Sequence, residues 1–483
     1  MESSRRWWVL AAVSLATFMT YLDNNVVNVA LPTIQRDLGL SIAGLEWIVS
    51  GYILVFAGLM LVGGRLADVY GRRRVFLAGL ALFTLASLLA GVSGSEAVLL
   101  VGRVLQGAGA ALLTPAALAI LPATFTNPRE RGTAVGIWSA VGALALAFGP
   151  LTGGFISQHW HWGWIYLINV PVGVVTMAVA VAAIREPRSG QVARRLDALG
   201  LTTSSVSLLA LTYALIEGER RGWTSGLILG AFAVAGLAAA AFMLAEARAA
   251  DPMVDLSLFR SRLFSGGTAA TGLWAFGIFG IYFFTALYLQ NVLGFSPTRA
   301  GAAFVPMALV LAVVAAVSGP IAARIGTHVA VAGGLALMAA AVVGLSSVGR
   351  GSGLADLMPW FLLYGVGAGL LVPLTAMILG QLPADREGVA SGILNVSREV
   401  FGLLGVTVLG AILGSRQSAE LRSGADPVAA FLSAYQFSLL IAAAIVVVGV
   451  PVSLYALRTR RAAGPTVDPA IAADADLVPD LVG

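Results

Sequence analysis

The feature that most constrains this chain is the recurrence of uninterrupted apolar runs along nearly all of its 483 residues. Each run is about 20 residues long, the length at which a helix crosses a bilayer. Charged residues make up 11% of the chain and hydrophobic ones 58%, with a mean hydropathy of +0.90. Soluble domains carry roughly 25% charge. Barrel strands alternate over about ten residues, and these runs do not. An all-α polytopic membrane protein is the expected fold class.

Fourteen candidate spans can be drawn: Trp8–Ala30, Trp47–Ala67, Val75–Val92, Val98–Leu121, Gly132–Ile156, Trp164–Ile184, Ala198–Ile216, Leu227–Ala247, Phe264–Gln290, Ala300–Ala323, Val329–Val348, Trp360–Leu382, Gly388–Leu413 and Phe431–Leu457. An even number puts both termini on one side. Of the 29 basic residues, all arginine, 20 fall on that side and 7 on the other, with Arg103 and Arg398 inside spans. The positive-inside rule then predicts cytoplasmic termini.

Composition also excludes chemistry. There is no Cys, hence no disulfide or thiol chemistry. The histidines, His159, His161 and His328, are too scattered for a metal cluster. Without Lys there is no phosphate-binding Walker loop, so a pump with its own nucleotide domain is ruled out. No metal, cofactor or catalytic group is expected. The net charge of +5 does not imply nucleic-acid binding, because the arginines sort by membrane side. The first apolar run is too long, and too polar at Asp23, for a cleavable signal peptide.

The chain repeats internally. Gly64–Gly71 recurs as Gly319–Gly326, an offset of 255, and Gly132-Thr-Ala-Val-Gly136-Ile137 as Gly388-Val-Ala-Ser-Gly392-Ile393, an offset of 256. Gly107-Ala-Gly109 with Pro115 recurs as Gly365-Val-Gly367 with Pro373, an offset of 258. Near-constant offsets predict two homologous six-helix bundles, residues 1–197 and 251–461. Two inserted helices (198–250) lie between them, and a disordered cytoplasmic tail (462–483) follows. An even insertion leaves the two halves parallel.

Within the first span, Asp23 is followed by Asn24, Asn25 and Asn28. A carboxylate in hydrocarbon costs about 2.5–3.5 kcal/mol on insertion scales, so it should face the protein interior or a wet cavity. Such a group can bind and release a proton as its surroundings change.

These motifs, in this order, resemble the major facilitator superfamily, specifically its fourteen-helix drug/proton antiporter branch, over about residues 5–460. Leu22-Asp23-Asn24-Asn25 through Pro32 is similar to that branch's first-helix motif, with Asn25 where Thr is usual. Gly64-Arg-Leu-Ala-Asp68-Val-Tyr-Gly71-Arg72-Arg73-Arg74 is similar to the signature loop between helices two and three. The resemblance implies that this loop latches the bundles in the outward-facing state; ordinary positive-inside arginines are the plainer reading. The second copy has Ala323 in place of the acid. Gly102-Arg103 to Gln106-Gly107 matches the fourth-helix motif, implying that Arg103 assists proton exchange at Asp23; a static ion pair is the alternative. Gly149-Pro150 and Gly153-Gly154 on helix five resemble the antiporter motif, where small residues let helices approach and Pro150 removes one backbone bond.

Glu217 resembles a recurrent acid of the branch: either a second proton or cation site, or a helix-end carboxylate paired with Arg220 or Arg221. Arg398 and Glu399 lie together on helix thirteen, and Glu399 either serves a cationic substrate or neutralises its neighbour. Phe276, Phe279 and Phe283 form an aromatic stripe on helix nine that suits flat cations if it faces the cavity. The substrate cavity is expected to draw on Asn24, Asn28, Gln106, Trp138, Phe279, Phe283, Asn395 and Glu399.

The resemblance implies a proton-coupled multidrug efflux antiporter, a monomer in the bacterial plasma membrane, exchanging protons for lipophilic, often cationic compounds. A transporter of the same fold dedicated to one metabolite or lipid is the alternative. An intramembrane enzyme is a distant third, since no acid/base cluster or nucleophile pairing is found.

Overall fold

A computed structural model describes residues 2–186, 197–249, 252–382 and 387–458; the expected disordered tail lies outside them. The described residues form helices and no strand. The first half runs α1 (Glu2–Leu38), α2 (Ile42–Tyr70), α3 (Arg72–Gly91), α4 (Glu96–Thr124), α5 (Pro128–His159) and α6 (Trp164–Ala183). Then come α7 (Ala198–Arg221) and α8 (Gly226–Arg248). The second half runs α9 (Arg262–Asn291), α10 (Pro297–Ile325), α11 (Thr327–Leu345), α12 (Leu354–Leu379), α13 (Glu387–Arg422) and α14 (Pro427–Ala456).

Twelve helices among the described residues are long and apolar enough to cross a membrane. That is two fewer than the sequence expectation. The helices outside this set are α1 and α5, with 37 and 32 residues. Length is no obstacle, since 32 residues of helix span about 48 Å against about 30 Å of hydrocarbon. In α1 the apolar run is interrupted by Asp23, Asn24, Asn25 and Asn28, the residues that build the site below.

Helix ends follow local chemistry. The hydroxyls of Ser41, Ser95, Ser225, Ser261 and Ser296 accept from amides in the first turns of α2, α4, α8, α9 and α10. Gly71, joining α2 to α3, has φ 103° and ψ 135°; Gly326, joining α10 to α11, has φ 91° and ψ 137°. Side chains with a Cβ rarely adopt that conformation, so the sequence repeat is also a repeat of backbone shape.

Packing repeats too. α1 packs on α5, α2 and α3 on α4, and α3 on α6. In the second half α9 packs on α13, α10 and α11 on α12, and α11 on α14. One difference is visible at the repeated proline: α4 runs straight through Pro115, whereas α12 breaks between Gly369 and Pro373. The halves meet where α5 lies on α10, α2 on α13 and α1 on α9. α7 and α8 pair with each other, and α7 leans on α2 and α13. Only Ile228, Ala235 and Glu246 of α8 are buried, which leaves this helix an outward apolar surface.

Candidate functional site

Asp23 sits midway along α1 with no exposed surface. Its Oδ2 accepts from Arg103 Nη1 at 2.5 Å, and its Oδ1 accepts from Gln106 Nε2 at 2.9 Å and Asn169 Nδ2 at 3.0 Å. Arg103 and Gln106 are three residues apart on α4, which puts them on one helix face. They also bond each other, Nη1 to Oε1 at 2.9 Å, and Gln106 Nε2 reaches Ser87 Oγ on α3 at 2.8 Å. Arg103 Nε donates to the Ile48 carbonyl at 3.1 Å. The Tyr52 and Tyr166 ring centroids lie 4.4 and 5.6 Å from the guanidinium carbon. Five helices of the first half thus converge on one sealed ion pair. Such a pair is held by geometry; breaking it by removing one partner leaves an uncompensated charge.

Beside this cluster lies a cavity of about 290 Å³ between the two halves. Its first-half wall is Thr17, Thr20, Tyr21, Asn24, Asn25 and Asn28 of α1, Tyr52 and Phe56 of α2, Thr114, Trp138 and Gly142. The facing wall is Trp274, Ile278, Phe279 and Tyr282 of α9, Met307, Ala308 and Leu311 of α10, and Arg398 and Glu399 of α13. Asp23 is not on the wall, but Asn24 and Tyr52 are. Tyr52 therefore has a cavity in front of it and the Arg103 guanidinium against its ring. Trp138 is fixed by its Nε1 donating to Thr17 Oγ1 at 2.8 Å.

Of the residues expected in the cavity, Asn24, Asn28, Trp138, Phe279 and Glu399 line it, and Gln106, Phe283 and Asn395 do not. Gln106 is consumed by the Asp23 cluster. Phe283 has no exposed surface and packs edge-on against Phe284, 4.7 Å between centroids. Asn395 bonds its own helix at the Ser391 carbonyl. Arg398 holds Glu399 Oε1 through Nη2 at 2.7 Å and Nε at 3.1 Å, while Glu399 Oε2 is buried without a hydrogen-bond partner. Tyr21, Tyr52 and Asn169 had not been singled out for the site, whereas Trp274 and Tyr282, expected beside the aromatic stripe of helix nine, both line the cavity. The interiors of apolar spans carry no signal for which aromatic faces a void.

Glu217 stands apart from this cavity. It accepts from Arg220 Nη2 at 2.5 Å, Arg221 Nε at 3.1 Å and Trp47 Nε1 at 3.3 Å, the paired helix-end arrangement.

The motif residues place as follows. Asp68 is exposed and reaches Arg72 Nη2 at 3.9 Å. Arg72 Nη1 donates to the Ala119 carbonyl at 2.9 Å, and Arg73 Nη2 to the Val181 carbonyl at 3.1 Å. A Cβ on Gly64 would make ordinary contact with Pro115 at 3.7 Å, whereas one on Gly71 would meet the Glu186 carboxylate at 2.5 Å. These contacts tie the α2–α3 joint to α4 and α6, within the first half. On α5, a Cβ on Gly149 would lie 2.6 Å from Asn25 Cβ, and one on Gly153 would lie 2.3 Å from the Val26 carbonyl oxygen. One on Gly154 would lie 2.2 Å from the Pro297 carbonyl oxygen of α10, and one on Gly301 of α10 2.1 Å from that of Pro150. The glycines thus let α5 press backbone to backbone against α1 on one side and α10 on the other.

Repeated helical halves around a central aromatic cavity, with a buried ion pair behind its wall, define a multi-pass membrane transporter. The chain belongs to the Major Facilitator Superfamily, whose family model matches residues 13–406. It is 38% identical over 413 residues to the tetracenomycin C resistance and export protein of Streptomyces glaucescens, covering 85% of this chain and 77% of that one. It is 36% identical over 426 residues to the multidrug resistance protein Stp of Mycobacterium tuberculosis, covering 87% and 79%. The cephamycin export protein CmcT of Amycolatopsis lactamdurans is 36% identical, covering 87% and 88%. A crystal structure of a bacterial homologue of the human lysosomal transporter Spinster shares the fold, with a TM-score of 0.70 over 94% of this chain and 97% of that one at 16% identity.

Proposed function

We propose that this protein is a proton-coupled efflux antiporter that exports lipophilic, often cationic compounds by alternating access. Residues 1–197 and 251–461 move as two bundles, α1 and α5 complete fourteen spans, and both termini are cytoplasmic in a bacterial plasma membrane. One observation carries the reading: Tyr52 and Asn24 form the wall between the Asp23–Arg103 pair and the cavity. A change at the ion pair is therefore one side chain away from the substrate. Protonation of Asp23 removes the charge that holds Arg103, and the guanidinium shifts its weight onto Gln106, the Ile48 carbonyl and the tyrosine rings. One charge crossing 100 mV supplies about 2.3 kcal/mol, which sustains roughly a fiftyfold gradient of a neutral substrate.

The aromatic walls suit flat ring systems by stacking, and Glu399 Oε2 offers an acceptor to a cation or a donor group. The relatives named for multidrug resistance favour breadth. Those named for tetracenomycin C and cephamycin export favour the second reading, a transporter dedicated to one compound.

Purified protein in liposomes with an acidic lumen tests the proposal. Adding substrate outside should raise lumenal pH with the native chain and not with Asp23→Asn. Equal responses from both would remove Asp23 from coupling.

A further inference from the structure

A second acid lies in the contact between the halves, on α2 two residues before Ile48, whose carbonyl accepts from Arg103, but on the face turned to α13. By sequence, Glu46 falls just ahead of the span expected to start at Trp47. In the structure α2 already begins at Ile42, so Glu46 is one turn inside the helix and only 3% exposed. Its carboxylate points at α13. A Cβ on Gly410 would lie 2.2 Å from Glu46 Oε1 and 2.6 Å from Oε2, so the missing side chain of Gly410 makes the room the carboxyl occupies.

No hydrogen bond or ion pair reaches Glu46 from the described residues. The charged groups on the packed elements make no hydrogen bond or ion pair to Glu46, and most are engaged elsewhere. On α4, Glu96 abuts Gly44 and Arg103 is bound to Asp23. On α7, Glu217 is held by Trp47, Arg220 and Arg221, and Glu219 lies beside Gly414. On α13, Arg416 pairs with Glu420 at 3.3 Å, Arg422 bonds the Ser418 carbonyl and Arg398 bonds Glu399. On α1, Arg36 bonds the Pro32 carbonyl. The arginines of α3, Arg72, Arg73 and Arg74, lie in its first turn at the opposite end of the bundle, where Arg72 and Arg73 bond the Ala119 and Val181 carbonyls.

We propose that Glu46 is a proton-binding site distinct from Asp23, occupied while α2 and α13 are closed and emptied when they part. An ionised carboxylate in this seam has neither donor nor counter-charge and is strongly disfavoured. A neutral carboxylic acid is tolerated there. When the seam parts, water solvates the carboxylate and stabilises its charge. The proton comes from the solution bathing this end of the helices, forms one O–H bond on the carboxylate, and returns to the same solution on opening. It is not carried across. Acid on that side therefore favours closure, and one linked proton changes the closed-to-open ratio by at most about tenfold per pH unit. The inference rests on the alternating-access reading, in that α2 and α13 must separate during the cycle.

The chain lacks cysteine, so Ile42→Cys, four residues from Glu46, and Gln417→Cys, seven from Gly410 on the same helix face, place spin labels at the seam without background. Distance distributions are read by pulsed electron resonance from acid to alkaline pH, in lipid nanodiscs without substrate. The expected result is a pH-dependent shift from closed to open in the parent. Glu46→Gln should hold the seam closed at every pH, Glu46→Asp should keep the response with a moved midpoint, and Asp23→Asn should leave the response in place. An unchanged response in Glu46→Gln, a lost response in Glu46→Asp, or a pH-silent parent would each overturn the proposal. If added substrate opens a pH-silent seam, alternating access survives and the Glu46 site does not. If nothing opens it, both fail.

Discussion

Removing Arg103 should harm this protein more than removing Arg103 and the Asp23 charge together. In the native chain the Asp23 carboxylate takes one charged and two neutral donors, at 2.5, 2.9 and 3.0 Å, with no exposed surface. Arg103→Met keeps an unbranched chain of similar length but leaves a buried carboxylate with Gln106 and Asn169 alone. Breaking one side of a buried pair costs about 3–5 kcal/mol. Adding Asp23→Asn removes the orphaned charge while keeping an amide oxygen that still accepts from Gln106 and Asn169. Neutral replacement of a whole buried pair is often tolerated, so the double variant should lie within about 2 kcal/mol of the native chain, less destabilised than Arg103→Met alone, which is the signature of coupling between the two sites. The assay is thermal unfolding in detergent at one scan rate, followed by the fluorescence of the 10 tryptophans. The expected order of midpoints is native, then double, then Arg103→Met. A double variant at or below Arg103→Met, or shifts that simply add, would refute the claim that the charges depend on each other. The double variant, though folded, should show no substrate-driven proton movement.

Other outcomes can be checked alongside. Gly301→Ala puts a Cβ 2.1 Å from the Pro150 carbonyl oxygen, so α5 and α10 must part by over an ångström; a cysteine at Gln158 should then react faster with a membrane-impermeant thiol reagent. Phe279→Ala removes a stacking face from the cavity and should raise KM for planar dyes about tenfold, the equivalent of about 1.4 kcal/mol, with kcat changed much less. Glu399→Gln should weaken transport of cationic dyes about tenfold and spare neutral ones; equal losses would point to a purely structural pairing with Arg398. Outside the membrane, Arg350 and then the Ala429 amide hold the Asp426 carboxyl below its ordinary 3.8. A lowered carboxyl stabilises the fold above its unfolded value and loses that contribution as pH falls through the folded one. Asp426→Asn, which keeps the helix cap, should therefore remove a small stabilising contribution at neutral pH and flatten the acid limb of the stability profile below 3.8, where the native chain loses that contribution anyway.

Much of the architecture was legible because it leaves one-dimensional traces. Apolar length gave the helices, offsets of 255–258 gave the repeat, and Gly71 with Gly326 marked equivalent joints. Asp23 and Arg103 stood out because charges within apolar runs must find each other. The site was harder where orientation decides. Phe279 and Phe283 lie four residues apart, yet only Phe279 reaches the cavity, because α9 is covered on nearly all sides and periodicity cannot rank its faces. Gln106 was expected beside the substrate; its three-residue spacing from Arg103 instead commits it to the ion pair. Asn169 was invisible, since a lone amide near the start of a span reads as an interfacial residue. Glu46 was hidden by a boundary, because the apolar run starts at Trp47 while Ser41 caps the helix five residues earlier than Glu46.

The α5–α10 contact carries a consequence for how substrates reshape this family member over time. Where glycine meets carbonyl, there are few side chains to interlock, and the two surfaces resemble a plain bearing rather than a toothed gear. A bearing resists separation but contributes little resistance to small rotations. The cavity walls on either side can then change residue by residue without disturbing the glycine-to-carbonyl contacts of this joint.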